Sequence, residues 1–120
     1  MGKSILIADD SAMMRNLLKD ALSKSAYEVV GEAKNGVQVV EMYERLKPDV
    51  TLIDVTMPEL DGMGALKQII AGDPDAKCIM VSAMGQPSLI AEAIQCGAKD
   101  FINKPFNIDR ILTAIHKALV

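Results

Sequence analysis

The chain has 120 residues, of which 50% are hydrophobic and 24% are charged, and its formal net charge is -3. This is the composition of an ordinary globular protein, and the length allows one core, so we expect a single domain over residues 1–120. Neither a Lys/Arg cluster nor many aromatic residues occur, which argues against nucleic-acid binding by charge or by base stacking. The first apolar run ends at Asp9, too early for a signal peptide or a membrane span, so we expect a cytoplasmic protein with no membrane partner.

Strands and helices are predicted to alternate, because each continuous apolar run is followed by apolar residues at helical spacing. Asn35-Gly36 opens the second helix, Pro48 closes the second unit and Asn107 caps the last helix. The predicted strands cover residues 4–8, 27–33, 50–53, 78–81 and 101–103. The apolar helical residues are Met14, Leu17, Leu18, Ala21 and Leu22; Val39, Val40, Tyr43 and Leu46; Met63, Leu66, Ile69 and Ile70; Leu89, Ile90, Ala93 and Ile94; Ile111, Leu112, Ile115 and Leu119.

Five strand and helix units in strict alternation predict an α/β fold, in which a parallel sheet carries helices on both faces. The first, third and fourth strands are almost wholly apolar, as central strands are, whereas Glu28 and Glu32 make the second strand an edge. Cys78 and Cys96 lie outside any C-x-x-C pattern and in apolar surroundings. We therefore expect both cysteines to pack as reduced thiols.

Polar side chains stand at the carboxyl ends of the predicted strands. Asp9 and Asp10 end the first strand, and Asp54 ends the third. Ser82 follows the fourth strand and Lys104 the fifth. Ligands of open parallel sheets bind beyond these ends of the strands, so we expect the side chains to converge at one site.

Electrostatics predicts a cation among these acids. Two carboxylates about 4 Å apart repel by roughly 4 kcal/mol at an effective dielectric constant near 20. Either one acid takes up a proton or a cation joins them, and an all-oxygen set without His or Cys suits Mg²⁺ better than zinc. Asp9 and Asp10 are then the metal-holding pair. Asp54 becomes a candidate nucleophile toward a phosphoryl group, with Lys104 and Ser82 stabilising the charge.

Four motifs carry a resemblance to a known family, namely "LIADDS", "LIDVTMPELDG", "IMVSAMG" and "GAKDFINKPF". They stand in the order and on the elements found in the receiver domain of two-component response regulators, which the chain resembles over its entire length. Within that family it is most similar to the single-domain chemotaxis regulators. The resemblance implies a flavodoxin-like, doubly wound parallel sheet of five strands in the order 2-1-3-4-5 with five helices.

The resemblance also implies a role for each metal-site residue. Asp54 is expected to be the phosphoacceptor and to contact Mg²⁺. Asp10 is expected to bind the ion directly and Asp9 to bind it through water. Thr56 resembles the position that offers its backbone carbonyl to the metal, so its side chain need not be of a particular type.

Further roles concern the switch. Ser82 resembles the switch hydroxyl and Lys104 the ammonium that contacts the phosphate, with a cis bond expected between Lys104 and Pro105. Phe101 resembles the aromatic switch residue that turns inward after phosphorylation, although the best-known chemotaxis regulators carry a tyrosine there. Gly62 resembles the glycine that lets the loop after the third strand turn tightly.

The surface formed by the fourth helix, fifth strand and fifth helix is expected to change with the switch. Its candidate residues are Ile90, Ala98, Phe101 and Asn103. Met84, two residues after the switch hydroxyl, is apolar and orients water poorly, so its replacement by Glu or Ala is predicted to alter the phosphoryl lifetime. His116 is expected to be a surface or packing residue rather than a phosphorelay histidine.

The function implied is that of a phosphoryl-accepting signalling switch, with at most slow self-catalysed phosphorylation and dephosphorylation, and not of an enzyme. A sensor histidine kinase would be the donor. The effector would be a protein such as the flagellar motor switch, and a phosphatase is a further candidate partner. We expect a monomer that acts in chemotaxis and flagellar motor control.

Several alternatives stay open from the sequence. The chain is compatible with a phosphorelay intermediate, with an isolated receiver of a multidomain regulator, and with a receiver-like interaction module that is never phosphorylated. A Mg²⁺-dependent phosphatase is disfavoured, because such enzymes place a second acid two residues after the nucleophile, where this chain has Thr56. A nucleotide or flavin binder is disfavoured because no Gly-rich loop follows the first strand.

Overall fold

The computed structural model describes residues 2–120, and five strands alternate with five helices along them. The strands are β1 (Ser4–Ala8), β2 (Glu28–Ala33), β3 (Val50–Asp54), β4 (Cys78–Ser82) and β5 (Asp100–Asn103). The helices are α1 (Ala12–Ser23), α2 (Gly36–Leu46), α3 (Gly62–Gly72), α4 (Pro87–Gln95) and α5 (Ile108–Leu119). Both cysteines are free thiols. No helix in the described part of the chain has the length and apolar character that crossing a membrane requires.

All strand pairs are parallel, and the sheet order is β2-β1-β3-β4-β5. The predicted fold class, the strand order and the edge position of β2 are thereby confirmed. Strand order reverses at β1, whose neighbours are β2 on one side and β3 on the other. The carboxyl ends of β1 and β3 therefore lie side by side at the position where open α/β sheets place their ligands.

Side chains of each strand alternate between two apolar layers. Ile5 and Ile7 of β1 pack in one layer with α1 and α5. Leu6 and Ala8 pack in the other layer with α2, α3 and α4. Both faces of the sheet are thus covered, which explains why the central strands are nearly continuous in apolar residues.

Two of the apolar helical residues lie outside the core. Leu17 on α1 is 56% exposed and Ile94 on α4 is 47% exposed. A neighbouring residue takes the buried position in each helix, Leu18 after Leu17 in α1 and Ala93 before Ile94 in α4. One residue further along a helix rotates a side chain by about 100°, which is enough to move it from the buried face to the rim.

Thr51 is an unusual polar residue in the core. It lies in β3 between β1 and β4 and is completely buried. Its hydroxyl oxygen has no hydrogen-bond partner among residues 2–120. A buried hydroxyl without a partner costs free energy of folding.

Candidate functional site

Three carboxylates meet at the carboxyl ends of β1 and β3. One oxygen from each of Asp9, Asp10 and Asp54 lies within 4.8 Å of the others. Asp9 and Asp54 are buried, with 3% and 7% of their surface exposed, whereas Asp10 is exposed. The structure thus brings together the three acids that the sequence predicted to converge.

The carboxylate of Asp9 is held at both oxygens. The backbone N–H of Ser11 donates to Oδ1 at 2.9 Å, and the Lys104 ammonium donates to Oδ2 at 2.9 Å. Ser11 itself caps α1, because its hydroxyl accepts the N–H of Met14. The turn from β1 into α1 therefore fixes Asp9 while it starts the helix.

Asp54 is held more loosely. Its Oδ2 lies 3.6 Å from the Lys104 nitrogen, and its Oδ1 accepts the N–H of Thr56 at 3.4 Å. Lys104 is thus closer to Asp9 than to Asp54, although the sequence had pointed to Asp54 as its counterpart. Burial raises the pKa of the Asp54 carboxyl, the charges of Asp9 and Asp10 add to that rise, and Lys104 opposes it.

The residues present fit a magnesium ion. The cluster offers oxygen donors alone, without His or Cys, and one ammonium faces three carboxylates. An uncompensated negative charge in a partly buried pocket favours a divalent cation. Because Asp10 is exposed, water reaches this edge of the cluster, and Mg²⁺ usually retains several waters in proteins.

The hydroxyl of Ser82 lies at the end of β4 and is buried. It accepts the backbone N–H of Met84 at 2.9 Å, which ties it to the loop between β4 and α4. The backbone N–H of Lys104 donates to the Ser82 carbonyl at 2.8 Å, and the following bond to Pro105 is cis, as expected. Met84 is 46% exposed at this edge, and its effect on the phosphoryl lifetime stays a prediction.

The predicted output surface is only partly on the outside. Asn103 is exposed and Ile90 half-buried, but Phe101 and Ala98 are buried, with 7% and 6% exposed. Phe101 points from β5 into the layer under α4, opposite to Ile102. Ala98 follows the turn at Gly97, where its backbone N–H donates to the carbonyl of Ala93 in α4, and its part in the output surface stays a prediction.

Gly62 is required by space. A Cβ at this position would overlap the Asp54 carbonyl and the Val55 backbone, against which α3 begins. In the loop before it, Glu59 is the residue with a left-handed backbone, at φ 69°. The expected tight turn is present, but Glu59 rather than Gly62 adopts the unusual conformation, and Gly62 permits the close approach of α3 to β3.

Sequence reasoning missed one residue at the site. The Arg15 guanidinium donates to the backbone carbonyl of Asp9 at 2.6 Å. A backbone acceptor has no side-chain signature in a sequence, so only the position of Arg15 one helical turn into α1 hinted at the contact. His116, as expected, is exposed on α5.

Taken together, a doubly wound parallel sheet and an acidic pocket at its carboxyl edge define a flavodoxin-like α/β protein with a candidate cation site. Comparison with known proteins narrows this class. Residues 5–116 match the response regulator receiver domain. The chain is 56% identical over 119 residues to the chemotaxis protein CheY of Bacillus subtilis, with 99% of both chains covered. It is 54% identical over 117 residues to CheY of Thermotoga maritima, with 98% of both chains covered.

A solved structure agrees with these relatives. The crystal structure of the CheX-CheY-BeF3-Mg+2 complex from Borrelia burgdorferi superimposes with a TM-score of 0.95 at 30% identity, and covers 98% of this chain and 90% of that one. The chain therefore belongs to the response regulator receiver domain family and is a two-component receiver of the CheY type. Its class is that of a signalling protein rather than of a conventional enzyme.

Proposed function

We propose that this protein is a phosphoryl-accepting switch in which Asp54 takes a phosphoryl group from a phosphohistidine of a sensor kinase. The observation that carries the proposal is the position of Asp54. Its carboxylate is buried at the carboxyl end of β3, beside two further acids and 3.6 Å from the Lys104 ammonium. A nucleophile of this kind is usable for phosphoryl transfer when positive charge faces the transferred group.

Mg²⁺ is the proposed cofactor. Asp10, Asp54 and the Thr56 carbonyl would hold it directly and Asp9 through water. When bound, the ion neutralises charge on the phosphoryl oxygens and orients the group for transfer. The cluster of carboxylates supports this assignment, because its charge exceeds what Lys104 alone offsets.

The chain's own groups carry the transfer. A carboxylate oxygen of Asp54 forms a bond to phosphorus while the bond from phosphorus to the donor imidazole breaks, and the electron pair stays on the imidazole nitrogen. Lys104 moves from Asp9 toward the phosphoryl oxygens, and the Ser82 hydroxyl donates to one of them. Because Asp54 is buried, water approaches the phosphorylated aspartate poorly, and we expect its self-catalysed hydrolysis to be slow. We expect self-catalysed phosphorylation to be slow as well.

The conformational response begins at Ser82. When its hydroxyl turns to the phosphoryl group it gives up the N–H of Met84, so the loop before α4 has to move with it. Phe101 occupies the inward position beneath α4. We assign this inward position to the switched arrangement of the surface made by α4, β5 and α5. A phenylalanine has no hydroxyl, so this surface would bind its effector by shape and apolar contact.

The pathway we infer is chemotaxis with flagellar motor control. Its support is the similarity to chemotaxis proteins over almost the whole chain. We propose that residues 1–120 act as one receiver domain in the cytoplasm, as a monomer without a nucleic-acid or membrane partner. The partners would be a histidine kinase, an effector such as the motor switch, and a phosphatase or a protein like the CheX of the Borrelia complex.

The test is intact-mass analysis after incubation with acetyl phosphate and Mg²⁺. We expect the wild type to gain one phosphoryl group and Asp54→Asn to gain none. Asp75→Asn is the matched control, because Asp75 is an exposed acid that precedes β4, at the edge of the sheet opposite the site, and it should be modified like the wild type. An unmodified wild type, or equal modification of Asp54→Asn, would contradict the proposal.

A further inference from the structure

Arg15 on α1 connects the acidic pair to the neighbouring edge strand. Its side chain is only 12% exposed. One guanidinium nitrogen, Nη1, donates to the Asp9 carbonyl at 2.6 Å. Another, Nε, donates to Glu32 of β2 at 3.1 Å, and the Lys19 ammonium binds the second oxygen of Glu32 at 2.8 Å. The guanidinium is thus fixed on two sides.

The carbonyl that Arg15 binds belongs to the peptide unit between Asp9 and Asp10. This unit is planar, so holding its oxygen sets the direction in which both residues leave it. On the other side of Asp9, the backbone N–H donates to the Ala33 carbonyl at 3.1 Å. Asp9 is therefore clamped at both of its peptide groups, and the exposed carboxylate of Asp10 is aimed by the backbone that Arg15 holds.

Only an arginine makes this pair of contacts. The planar guanidinium presents donors in a rigid fork, so one nitrogen reaches the carbonyl while another reaches the carboxylate. A lysine has three N–H donors, but they diverge from one nitrogen and do not reproduce the spacing of the two guanidinium nitrogens that reach the Asp9 carbonyl and Glu32. The two contacts therefore depend on the shape of the guanidinium and not only on its positive charge.

We propose that Arg15 is a positioning residue for magnesium binding by Asp9 and Asp10, and that Glu32, backed by Lys19, holds Arg15 in place. This inference rests on the proposed function, because it concerns the same cation site. Groups that orient metal ligands without touching the metal commonly change affinity by about 10-fold to 100-fold when they are removed. The edge strand β2 then contributes to the site although none of its side chains belongs to the acidic cluster.

Isothermal titration with Mg²⁺ alone, on the unphosphorylated protein, tests the proposal. Arg15→Met keeps an apolar stem but removes the donors, and we expect a dissociation constant about 10-fold higher than in the wild type. Its phosphorylation rate with acetyl phosphate should return to within about two-fold of the wild type at saturating Mg²⁺, since the reacting groups are intact. A general structural defect would lower that saturated rate as well, and this result would overturn the proposal.

Two further variants separate geometry from charge. Arg15→Lys should recover less than half of the lost affinity on a logarithmic scale, and full recovery would overturn the role of the fork. Lys24→Met removes an exposed cation from the end of the same helix and should bind Mg²⁺ like the wild type. Equal weakening by Lys24→Met would show that net charge alone matters, which would also overturn the proposal.

Glu32→Gln keeps the test decisive even if Arg15→Met does not fold. The neutral amide holds Arg15 and Lys19 more weakly, so we expect the affinity for Mg²⁺ to fall about 3-fold, and an unchanged affinity would overturn the proposal. A wild type that binds no Mg²⁺ contradicts the proposed function itself. A wild type that binds, together with an Arg15→Met that binds equally well, overturns only the role of Arg15.

Discussion

The two ends of β3 carry aspartates in opposite electrostatic situations. Asp49 precedes the strand, at the amino edge of the sheet, and its Oδ2 accepts the backbone N–H of Ser4 at 2.7 Å and the Ser4 hydroxyl at 3.1 Å. The backbone hydrogen bond from Ser4 lowers the pKa of Asp49. Asp54 ends the same strand, and burial among other acids raises its pKa.

The contrast separates a structural acid from a functional one. Asp49 joins β1 to the loop before β3 through two hydrogen bonds to its carboxylate, so its charge stabilises the fold. The charge of Asp54 is disfavoured by the fold, and only an added cation or proton relieves it. Perturbed carboxyls of the second kind are typical of reactive sites, whereas those of the first kind hold elements together.

Replacing the structural acid, Asp49, should change the free energy of unfolding more than replacing Asp54. We expect Asp49→Ala to lower the free energy of unfolding at pH 7 by about 2 kcal/mol, because two hydrogen bonds to a charged group are lost. Urea unfolding measures this change. Asp75 is an exposed acid in the loop before β4, at the same amino edge of the sheet, so Asp75→Ala serves as control and should be nearly neutral.

The same variant has a predicted pH dependence. The folded-state pKa of Asp49 is lowered, so its stabilisation is present above the unfolded value of about 4 and is lost as the pH falls through the folded pKa. The difference in the free energy of unfolding between wild type and Asp49→Ala should therefore shrink between about pH 5 and pH 3, a window that surrounds the pKa of an aspartate in the unfolded chain. A constant difference over this range would contradict the structural role of the charge.

Removing the functional acid should act in the other direction. The folded-state pKa of Asp54 is raised, so its charge opposes folding at pH 7, and this penalty disappears as the pH falls through the folded pKa. In buffer with a chelator we expect Asp54→Asn to raise the free energy of unfolding, because the neutral amide carries no charge that burial disfavours. Destabilisation by Asp54→Asn under these conditions would remove the contrast between the two acids.

A third polar group sharpens the comparison, since it lies inside the same strand. The Thr51 hydroxyl is buried without a partner, so replacing it by a methyl group of similar size removes a desolvation cost. Thr51→Val should stabilise the protein by about 1 kcal/mol in urea unfolding. Thr51→Ala also loses the methyl group and should not stabilise. A destabilised Thr51→Val would indicate a hydrogen bond that the structure does not contain.

The smallest effect is expected in the loop after Asp54. Glu59 has φ 69°, a left-handed conformation that glycine adopts without strain. Glu59→Gly should raise the free energy of unfolding by about 0.5 kcal/mol, whereas Glu59→Ala, which keeps the Cβ, should give no such gain. Equal stability of both variants would show that this turn carries no backbone strain.

Much of the architecture was predictable from local pattern. Strand and helix periods gave the five units, and the apolar central strands indicated a sheet covered on both faces. The strand order came from the family resemblance, because periodicity does not determine which strands are neighbours. Leu17 and Ile94 share the helical spacing of the core residues but are exposed, because hydrophobic spacing identifies a broad face of a helix and not which of its residues are buried.

The site likewise has features that the sequence predicted and features that it did not. Asp9, Asp10 and Asp54 were predicted to converge because strand ends of a parallel sheet share an edge, and they do. The preference of Lys104 for Asp9 over Asp54 was not predictable, since it depends on differences of less than 1 Å in reach. Arg15 escaped notice because its partner is a backbone carbonyl, which every residue possesses.

The central claim is that the three acids are placed to bind a divalent cation. Isothermal titration of the unphosphorylated wild type with Mg²⁺ tests it most directly, with Asp10→Asn as the partner measurement. We predict one binding site in the wild type and an affinity at least about 10-fold lower in Asp10→Asn. The absence of binding in the wild type, or equal binding by Asp10→Asn, would contradict the account.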